Sequence, residues 1–241
     1  MTDARKVLVT GAAGIVGSIL RAHWGDRYSL RLADTRPIND LAPHESFVEF
    51  DIAELDAFLA ACEDIDTVIH LAADAGPQSE FYSSLLHNNI IGAYNAFEAP
   101  RQAGCSRVVF ASSVNAVLGH CGRRTVDQDS PVYPMNVYGA TKSWGEALGR
   151  VYSDQHGLSC ICVRLTGPNL RQDGDWDPDE IAANISPRDC AQLFARCVDV
   201  ADVDFALVNG ISRHRRTWLD LDYTCRILGY EPQDGTAFPR G

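Results

Sequence analysis

The amino-acid sequence predicts an α/β fold in which helices cover both faces of a parallel sheet, and three features of the chain carry that expectation. Short β-branched runs alternate with longer amphipathic stretches through the first two-thirds of its 241 residues, as βαβ units require. The first run, Lys6–Thr10, passes directly into a glycine-rich turn, Gly11-Ala12-Ala13-Gly14-Ile15-Val16-Gly17. The second, Leu30-Arg31-Leu32-Ala33-Asp34, ends on a carboxylate. Strand, glycine turn, helix and an acid-terminated second strand are the opening of a Rossmann-type doubly wound sheet.

Taken in order, strands are expected at Lys6–Thr10, Ser29–Ala33, Phe47–Glu49, Thr67–Leu71, Arg107–Ala111 and Ser159–Arg164. Helices fill most of the gaps. In Ser79–Gln102, Leu85, Ile90, Tyr94 and Phe97 recur at helical spacing, and Gly104 supplies the stop. A second helix runs from Val137 to His156 and closes at Gly157. Past Arg164 the pattern loosens into Gly167-Pro168-Asn169 and an acidic, turn-rich stretch at Asp173–Asp179, which reads as a mobile loop. A helix at Pro187–Val198, a strand at Asp204–Val208 and a helix at Trp218–Leu228 complete the chain. Residues 1–168 form the nucleotide-binding and catalytic core in this reading. Residues 169–241 are a small C-terminal substrate-binding portion integrated with it.

Composition narrows the function. A formal charge of −11 repels nucleic acid and anionic lipid, and no basic stretch is long enough to reverse that locally. The cluster Arg213-His214-Arg215-Arg216 is read as solvated. Eight cysteines show no C-x-x-C pair and no zinc-ligand spacing, so no metal is expected and the thiols are read as reduced. Cys160 and Cys162 alternate on a strand and so share one face. With no signal-peptide pattern and no long apolar run, the expected setting is the cytoplasm, away from membranes. Lysine occurs only at Lys6 and Lys142, a bias that codon usage explains more simply than salt adaptation.

Two groups of residues carry chemistry. Glycines 11, 14 and 17 let backbone amides approach a pyrophosphate at a helix N-terminus, with Ala13, Ile15 and Val16 in the same turn. Asp34 stands where a carboxylate accepts bonds from the two adenosine ribose hydroxyls and repels a 2′-phosphate, which favours NAD over NADP. Arg36, two residues on, is the residue that would favour a 2′-phosphate. Tyr138 and Lys142 are four residues apart and share a helix face. A phenol acting as a base near pH 7.5 needs its pKa about 2.5 below the free value, roughly 3.4 kcal/mol. An ammonium about 4 Å away at an effective dielectric near 20 supplies roughly 4 kcal/mol, so Lys142 is expected to nearly suffice. Ser112 and Ser113 follow the fifth strand at the carboxyl edge of the sheet, where ligands bind in open α/β folds. Ser113 is favoured as the hydroxyl that holds a reacting oxygen.

Together, Thr10-Gly11-x-x-Gly14-x-x-Gly17, Asp34, Asp51, His70-Leu71-Ala72-Ala73, Asn89, Ser112-Ser113 and Tyr138-x-x-x-Lys142 resemble the extended short-chain dehydrogenase/reductase family. The resemblance covers roughly residues 5–168, and Leu228–Asp234 is similar to that family's C-terminal signature. It implies that Asp51 and Ile52 flank the adenine, that Leu71, Ala72 and Ala73 line the cofactor channel, and that Asn89 supports the active-site lysine. Within the family, Asn89–Asn95 and Tyr138–Glu146 look most like the uronate dehydrogenases, which oxidise C1 of a hexuronic acid to a lactone. The chain departs from them where substrate specificity is set. Ala75 stands in place of a polar contact, Val114-Asn115-Ala116 replaces an Asn-His pair, and Asp177–Asn184 replaces a segment with a carboxylate-binding arginine. Ser112, Asn115 and Arg171 are the remaining candidates for substrate contact.

A sugar or sugar acid is therefore the expected small-molecule partner. A nucleotide-sugar epimerase or reductase uses the same Tyr and Lys but needs a large C-terminal lobe. Few residues follow Lys142 to build one. An NAD-binding sensor without turnover is the third reading, and retention of both Tyr138 and Lys142 argues against it. The resemblance also implies a homodimer or higher homo-oligomer, through the helices Ser79–Gln102 and Val137–His156, with Leu85, Tyr94, Trp144 and Leu148 as the apolar contacts.

Overall fold

The computed structural model describes residues 4–168, 184–214 and 217–234. Its first half runs β1 (Lys6–Thr10), α1 (Ile15–Trp24), β2 (Ser29–Asp34), β3 (Glu45–Glu49), α2 (Leu55–Ala61), β4 (Thr67–His70) and α3 (Gly92–Ala103). The second half runs β5 (Arg107–Ser113), α4 (Val137–His156), β6 (Ser159–Leu165), β7 (Gly167–Pro168), β8 (Asn184–Ile185), α5 (Pro187–Asp199), β9 (Phe205–Gly210) and α6 (Asp222–Leu228). Seven of the strands form one sheet in the order β3-β2-β1-β4-β5-β6-β9, every pair parallel. Chain order reverses on either side of β1, so a crevice opens at the carboxyl ends of β1 and β4.

Helices cover both faces, which is why β4 and β5 are buried along their whole length. On one face Ile19, Leu20 and Trp24 of α1 meet Leu193, Phe194 and Val198 of α5. On the other, Phe58 of α2, Phe97 of α3 and Leu148 and Tyr152 of α4 pack together with Cys160 and Cys162, which do share a face. The C-terminal portion is tied into this body: β9 pairs with β6, and Trp24 Nε1 donates to the Ala191 carbonyl of α5 at 2.9 Å.

Several boundaries differ from the sequence expectation, each for an identifiable reason. Ser112 and Ser113 belong to β5 because they continue its ladder opposite Arg164 and Leu165 of β6. The helix expected from Ser79 begins at Phe81, and its residues to Ile91 wind in wider turns, with Leu85 N–H bonded to the Glu80 carbonyl five residues back. The helix expected from Trp218 begins at Asp222. Val126 occupies the preceding backbone instead, donating to Trp218 O at 2.7 Å and accepting from Asp220 N at 2.8 Å.

Of the basic cluster, the two described residues are not fully solvated: His214 is buried and Arg213 turns toward Cys225 Sγ at 3.4 Å. Arg215, Arg216, Arg171 and the acidic loop at 173–179 lie outside the described residues. All eight cysteines are unpaired thiols, six of them buried. Among the described residues no cluster suits a metal, and no helix is long and apolar enough to cross a membrane. Leu85 and Leu148, expected at a subunit contact, are core residues, whereas Tyr94 and Trp144 stay 43% and 39% exposed.

Candidate cofactor groove and catalytic site

The crevice is shaped first by missing side chains. Gly11 sits at φ +71°, and a Cβ there would lie 2.6 Å from Ala72 N, so only glycine lets the turn after β1 touch the end of β4. At Gly17 a Cβ would lie 2.4 Å from the Ala12 carbonyl oxygen, so glycine brings α1 against the same turn. Asp34, at the end of β2, fixes that turn from the other side: its Oδ2 accepts from Ala13 N at 3.0 Å and its Oδ1 from Arg36 N at 3.0 Å. Gly11, Gly14, Asp34, Asp51, Ile52, Leu71, Ala72 and Ala73 border one part of the groove. Gly11, Gly14, Leu71 and Ala73 also border the next part, with Ile15, Val16, Ala75, Ser113, Tyr138 and Lys142. The two parts are one continuous channel from β2 to β5.

This cradle fits a dinucleotide. It has an apolar floor, a glycine turn at the N-terminus of α1 for a pyrophosphate, and a carboxylate at one end for a ribose. Asp51 accepts from Ala53 N at 2.9 Å and pairs with His87 Nε2 at 2.9 Å. Ile52 lies against Gly92, where a Cβ would come within 2.6 Å of its Cδ1.

At the other end of the channel α4 presents Tyr138 and Lys142 one turn apart, 7% and 4% exposed. Lys142 Nζ donates to the Ala111 carbonyl of β5 at 2.8 Å and stands 5.8 Å from the Tyr138 ring centroid. Burial draws its pKa down to about 8. Burial also holds the Tyr138 phenol above its ordinary value, a hydrogen bond from Ser113 opposes that rise, and the charge of Asp74 adds to it. This corrects the sequence expectation that Lys142 nearly suffices to acidify the phenol. Desolvation dominates, and the ammonium is spent on a carbonyl rather than on the tyrosine oxygen.

Other candidates take different places from those expected. Asn89 does not bond Lys142. Its Oδ1 accepts from Asp74 N at 2.8 Å, and its Nδ2 donates to Asp74 O at 2.9 Å and to Thr141 Oγ1 at 3.1 Å, so it ties the loop after β4 to the residue before the lysine. Ser112 donates its hydroxyl to Glu146 Oε1 at 2.6 Å. Asn115 is bonded to Ser113 Oγ through both its main-chain N, at 3.1 Å, and its Nδ2, at 3.2 Å.

Sequence reasoning passed over the supports behind the site. Glu146, one turn beyond Lys142 on α4, accepts two parallel bonds from Arg164 of β6, Nε to Oε1 and Nη2 to Oε2, both 2.9 Å. The Tyr138, Lys142, Glu146 spacing puts all three on one helical stripe, a signal that was available. Asn136 caps α4 by accepting from Gly139 N at 2.7 Å, as an Asn before a helical run announces. Asp74 gathers Gly76 N at 2.9 Å, Ser79 Oγ at 2.7 Å and Ser84 Oγ.

Known proteins share this arrangement. Residues 7–186 match the NAD dependent epimerase/dehydratase family. The chain is 37% identical to the NAD-dependent glucose-6-phosphate dehydrogenase of Haloferax volcanii, over 97% of this chain and 95% of that protein. It is 32% identical to the L-arabinose 1-dehydrogenase (NAD(P)(+)) of the same organism, over 96% and 98%. Among solved structures it is similar to a mutant uronate dehydrogenase from Agrobacterium tumefaciens complexed with NAD, with a TM-score of 0.85, 29% identity, and coverage of 96% of this chain and 85% of that one. With the family spanning well over half of its length and both ends of the channel in place, the chain belongs to the NAD dependent epimerase/dehydratase family.

Proposed function

We propose that this protein is an NAD-dependent dehydrogenase that oxidises the C1 hydroxyl of a sugar or sugar acid to a lactone. The observation that carries the reading is that the buried Tyr138, Lys142 and Ser113 face the same channel as the glycine turn. Relatives named for a sugar phosphate, a neutral pentose and a uronate support a small sugar rather than a nucleotide sugar. So does the C-terminal portion, whose described residues are committed to the sheet and its covering helices.

Gly11, Gly14 and Asp34 hold the cofactor's pyrophosphate and adenosine ribose in this reading, with Asp51 and Ile52 near the adenine. NAD, when bound, supplies the acceptor for the C1 hydride. Tyr138, as the phenolate, takes the proton of the sugar hydroxyl, with the positive charges of Lys142 and of oxidised nicotinamide, when bound, offsetting the burial that raises the phenol pKa. Ser113 bonds the oxygen that loses the proton. Lys142 keeps a positive charge beneath the phenol and braces α4 on β5 through Ala111. Ala75 and Asn115 border the sugar's end of the channel, and Arg171 is the cation proposed for an acidic substituent. The backbone at Ser112 lies beside the sugar while its hydroxyl serves Glu146.

The unpaired thiols suit the reducing cytoplasm. Self-association is proposed through Tyr94 and Trp144 with Ile91 and Val151, which are also exposed, and light scattering at micromolar concentration in low and high salt reports it. For the reaction, uronates, pentoses and hexose 6-phosphates are screened for NADH formation at 340 nm. Turnover of at least one, and a fall in kcat of about 10²-fold or more in Tyr138→Phe with NAD affinity unchanged, is the expected result. Wild-type turnover by Tyr138→Phe, or turnover of nucleotide sugars alone, refutes it.

A further inference from the structure

We infer that Asn136 and Asn115 form a relay that leaves Ser113 able only to donate a hydrogen bond toward the reacting oxygen. The inference rests on the proposed role of Ser113 and adds two positioning residues to it.

The polarity of the relay follows from one backbone amide. Gly139 N is a donor, so the Asn136 atom facing it at 2.7 Å is the carbonyl oxygen, Oδ1. The other end of that side chain, Nδ2, is then what meets Asn115 at 2.9 Å, and Asn115 must present Oδ1 to it. Asn115 is left with Nδ2 toward Ser113 Oγ, at 3.2 Å. An amide flip, the usual ambiguity of such side chains, would place donor against donor at Gly139. The main-chain N of Asn115 also donates to Ser113 Oγ, at 3.1 Å. A serine hydroxyl has two acceptor sites and one proton. Both acceptor sites are filled, so the proton is what Ser113 has to offer, and Tyr138 lines the same part of the channel as that hydroxyl.

The backbone is shaped to hold this contact. A Cβ on Gly139 would lie 2.3 Å from the Asn115 carbonyl oxygen, so the glycine beside Tyr138 is what allows residues 114–116 to lie against α4. The helix that carries the proposed base thus also sets the direction of the serine proton. A donor aimed at the substrate oxygen stabilises it as its own proton leaves for Tyr138, the moment at which negative charge builds there. A hydroxyl free to rotate would spend part of its time accepting from the substrate instead.

Asn115→Asp tests the relay at nearly constant shape. A carboxylate accepts from Ser113 and turns its proton away from the site. We expect kcat to fall at least tenfold, with KM for NAD unchanged. Asn136→Asp keeps the cap on Gly139 N but loses the donor to Asn115, and should lower kcat in the same direction by less. In a Ser113→Ala background, Asn115→Asp should change kcat less than about twofold, because the residue acts through the serine. An equal fold-loss in both backgrounds, or a loss confined to KM for the sugar, would mean that Asn115 touches substrate directly and overturns the relay.

A second readout needs no turnover. The phenol of Tyr138, titrated by NMR of ring-labelled tyrosine, should rise in pKa with Asn115→Asp, and most of that rise should vanish when Ser113 is already Ala. Lys142 on α4 and Asp74 after β4 face the phenol in all four proteins and cancel from the comparison. Equal rises in both backgrounds would be the added charge alone and would refute the relay. A wild-type protein that oxidises no sugar would instead refute the proposed function, while this titration still decides the relay.

Discussion

Between Gly11 and Gly17 the channel is shaped by backbone, whereas between Ser112 and Arg164 it is shaped by charged and polar side chains buried behind it. At the first end the decisive contacts are close approaches that a single Cβ would block. At the second, Glu146 and Arg164 form an ion pair with side chains 6% and 2% exposed, and Ser112 closes onto the same carboxylate. Between the two ends lies His70, bonded through Nδ1 to Thr10 Oγ1 at 2.9 Å and stacked against Phe58 and Phe110. The difference teaches where each end is vulnerable. The backbone end fails when a side chain is added, and the side-chain end fails when one is removed or changes charge.

The largest expected effect belongs to His70. Burial, and then the charge of Lys142, draw its pKa down to about 3 from an ordinary 6.5. The folded-state value lies below the unfolded one, so between these pH values the unfolded chain binds the extra proton. Stability is therefore fully present above about pH 6.5 and is lost as pH falls toward 3, by an amount on the order of 5 kcal/mol. Denaturant titrations from pH 7 to 4 on wild type and His70→Asn should show a shallower acid limb in the variant. Carboxylates contribute alike to both proteins. Parallel limbs would show that His70 is wetter than its stacking implies, and that the polar end is not a dry one.

Next comes the ion pair. Glu146→Ala strands Arg164, whose Nη1 already lacks a hydrogen-bond partner among the described residues, and should cost about 3–5 kcal/mol in urea unfolding. Replacing both partners, Glu146→Leu with Arg164→Met, should recover most of that loss, because desolvation of two charges offsets much of their attraction. A single variant that unfolds like wild type would place water behind α4 and remove the contrast between the two ends.

That contrast also explains what could be read from sequence. The backbone end is local: Gly11 to Asp34 is one βαβ unit, and its meaning is carried by residue types at fixed spacing. The strand of Lys6–Thr10 and the helix of Val137–His156 were legible to the residue, because the turn and cap residues that bound them are neighbours in the chain. The support of the chemical end is long-range. Ser112 meets Glu146 across 34 residues and Asn89 meets Thr141 across 52, and no periodicity announces such pairs. Hence Ser112 was read as a substrate contact and, from the resemblance, Asn89 as a support of Lys142, whereas the bonds of their side chains to Glu146 and to Thr141 were not foreseen.

The smallest expected effect tests whether the backbone end is purely backbone. Asp34 borders the channel, and each of its oxygens already accepts from one main-chain amide, at 3.0 Å. A carboxylate oxygen has a second acceptor site, free on Oδ2 and on Oδ1 held only by the long bond from Arg36 Nε at 3.4 Å. Two ribose hydroxyls can therefore be accepted once that arginine turns away, whereas a 2′-phosphate is repelled. NAD should therefore bind at least about tenfold more tightly than NADP by calorimetry, about 1.4 kcal/mol. The margin stays modest because Arg36 lies beside it, Nε 3.4 Å from Asp34 Oδ1 and 66% exposed. An ion pair that open holds its arginine weakly, so the guanidinium can turn to a phosphate. Asp34→Asn removes the repulsion while keeping an acceptor for the turn, and should bring the two affinities together. Arg36→Ala should widen the gap. Equal affinities in the wild type, or a ratio indifferent to Asp34→Asn, would mean that the shape of the glycine turn, and not the charge at the end of β2, selects the cofactor.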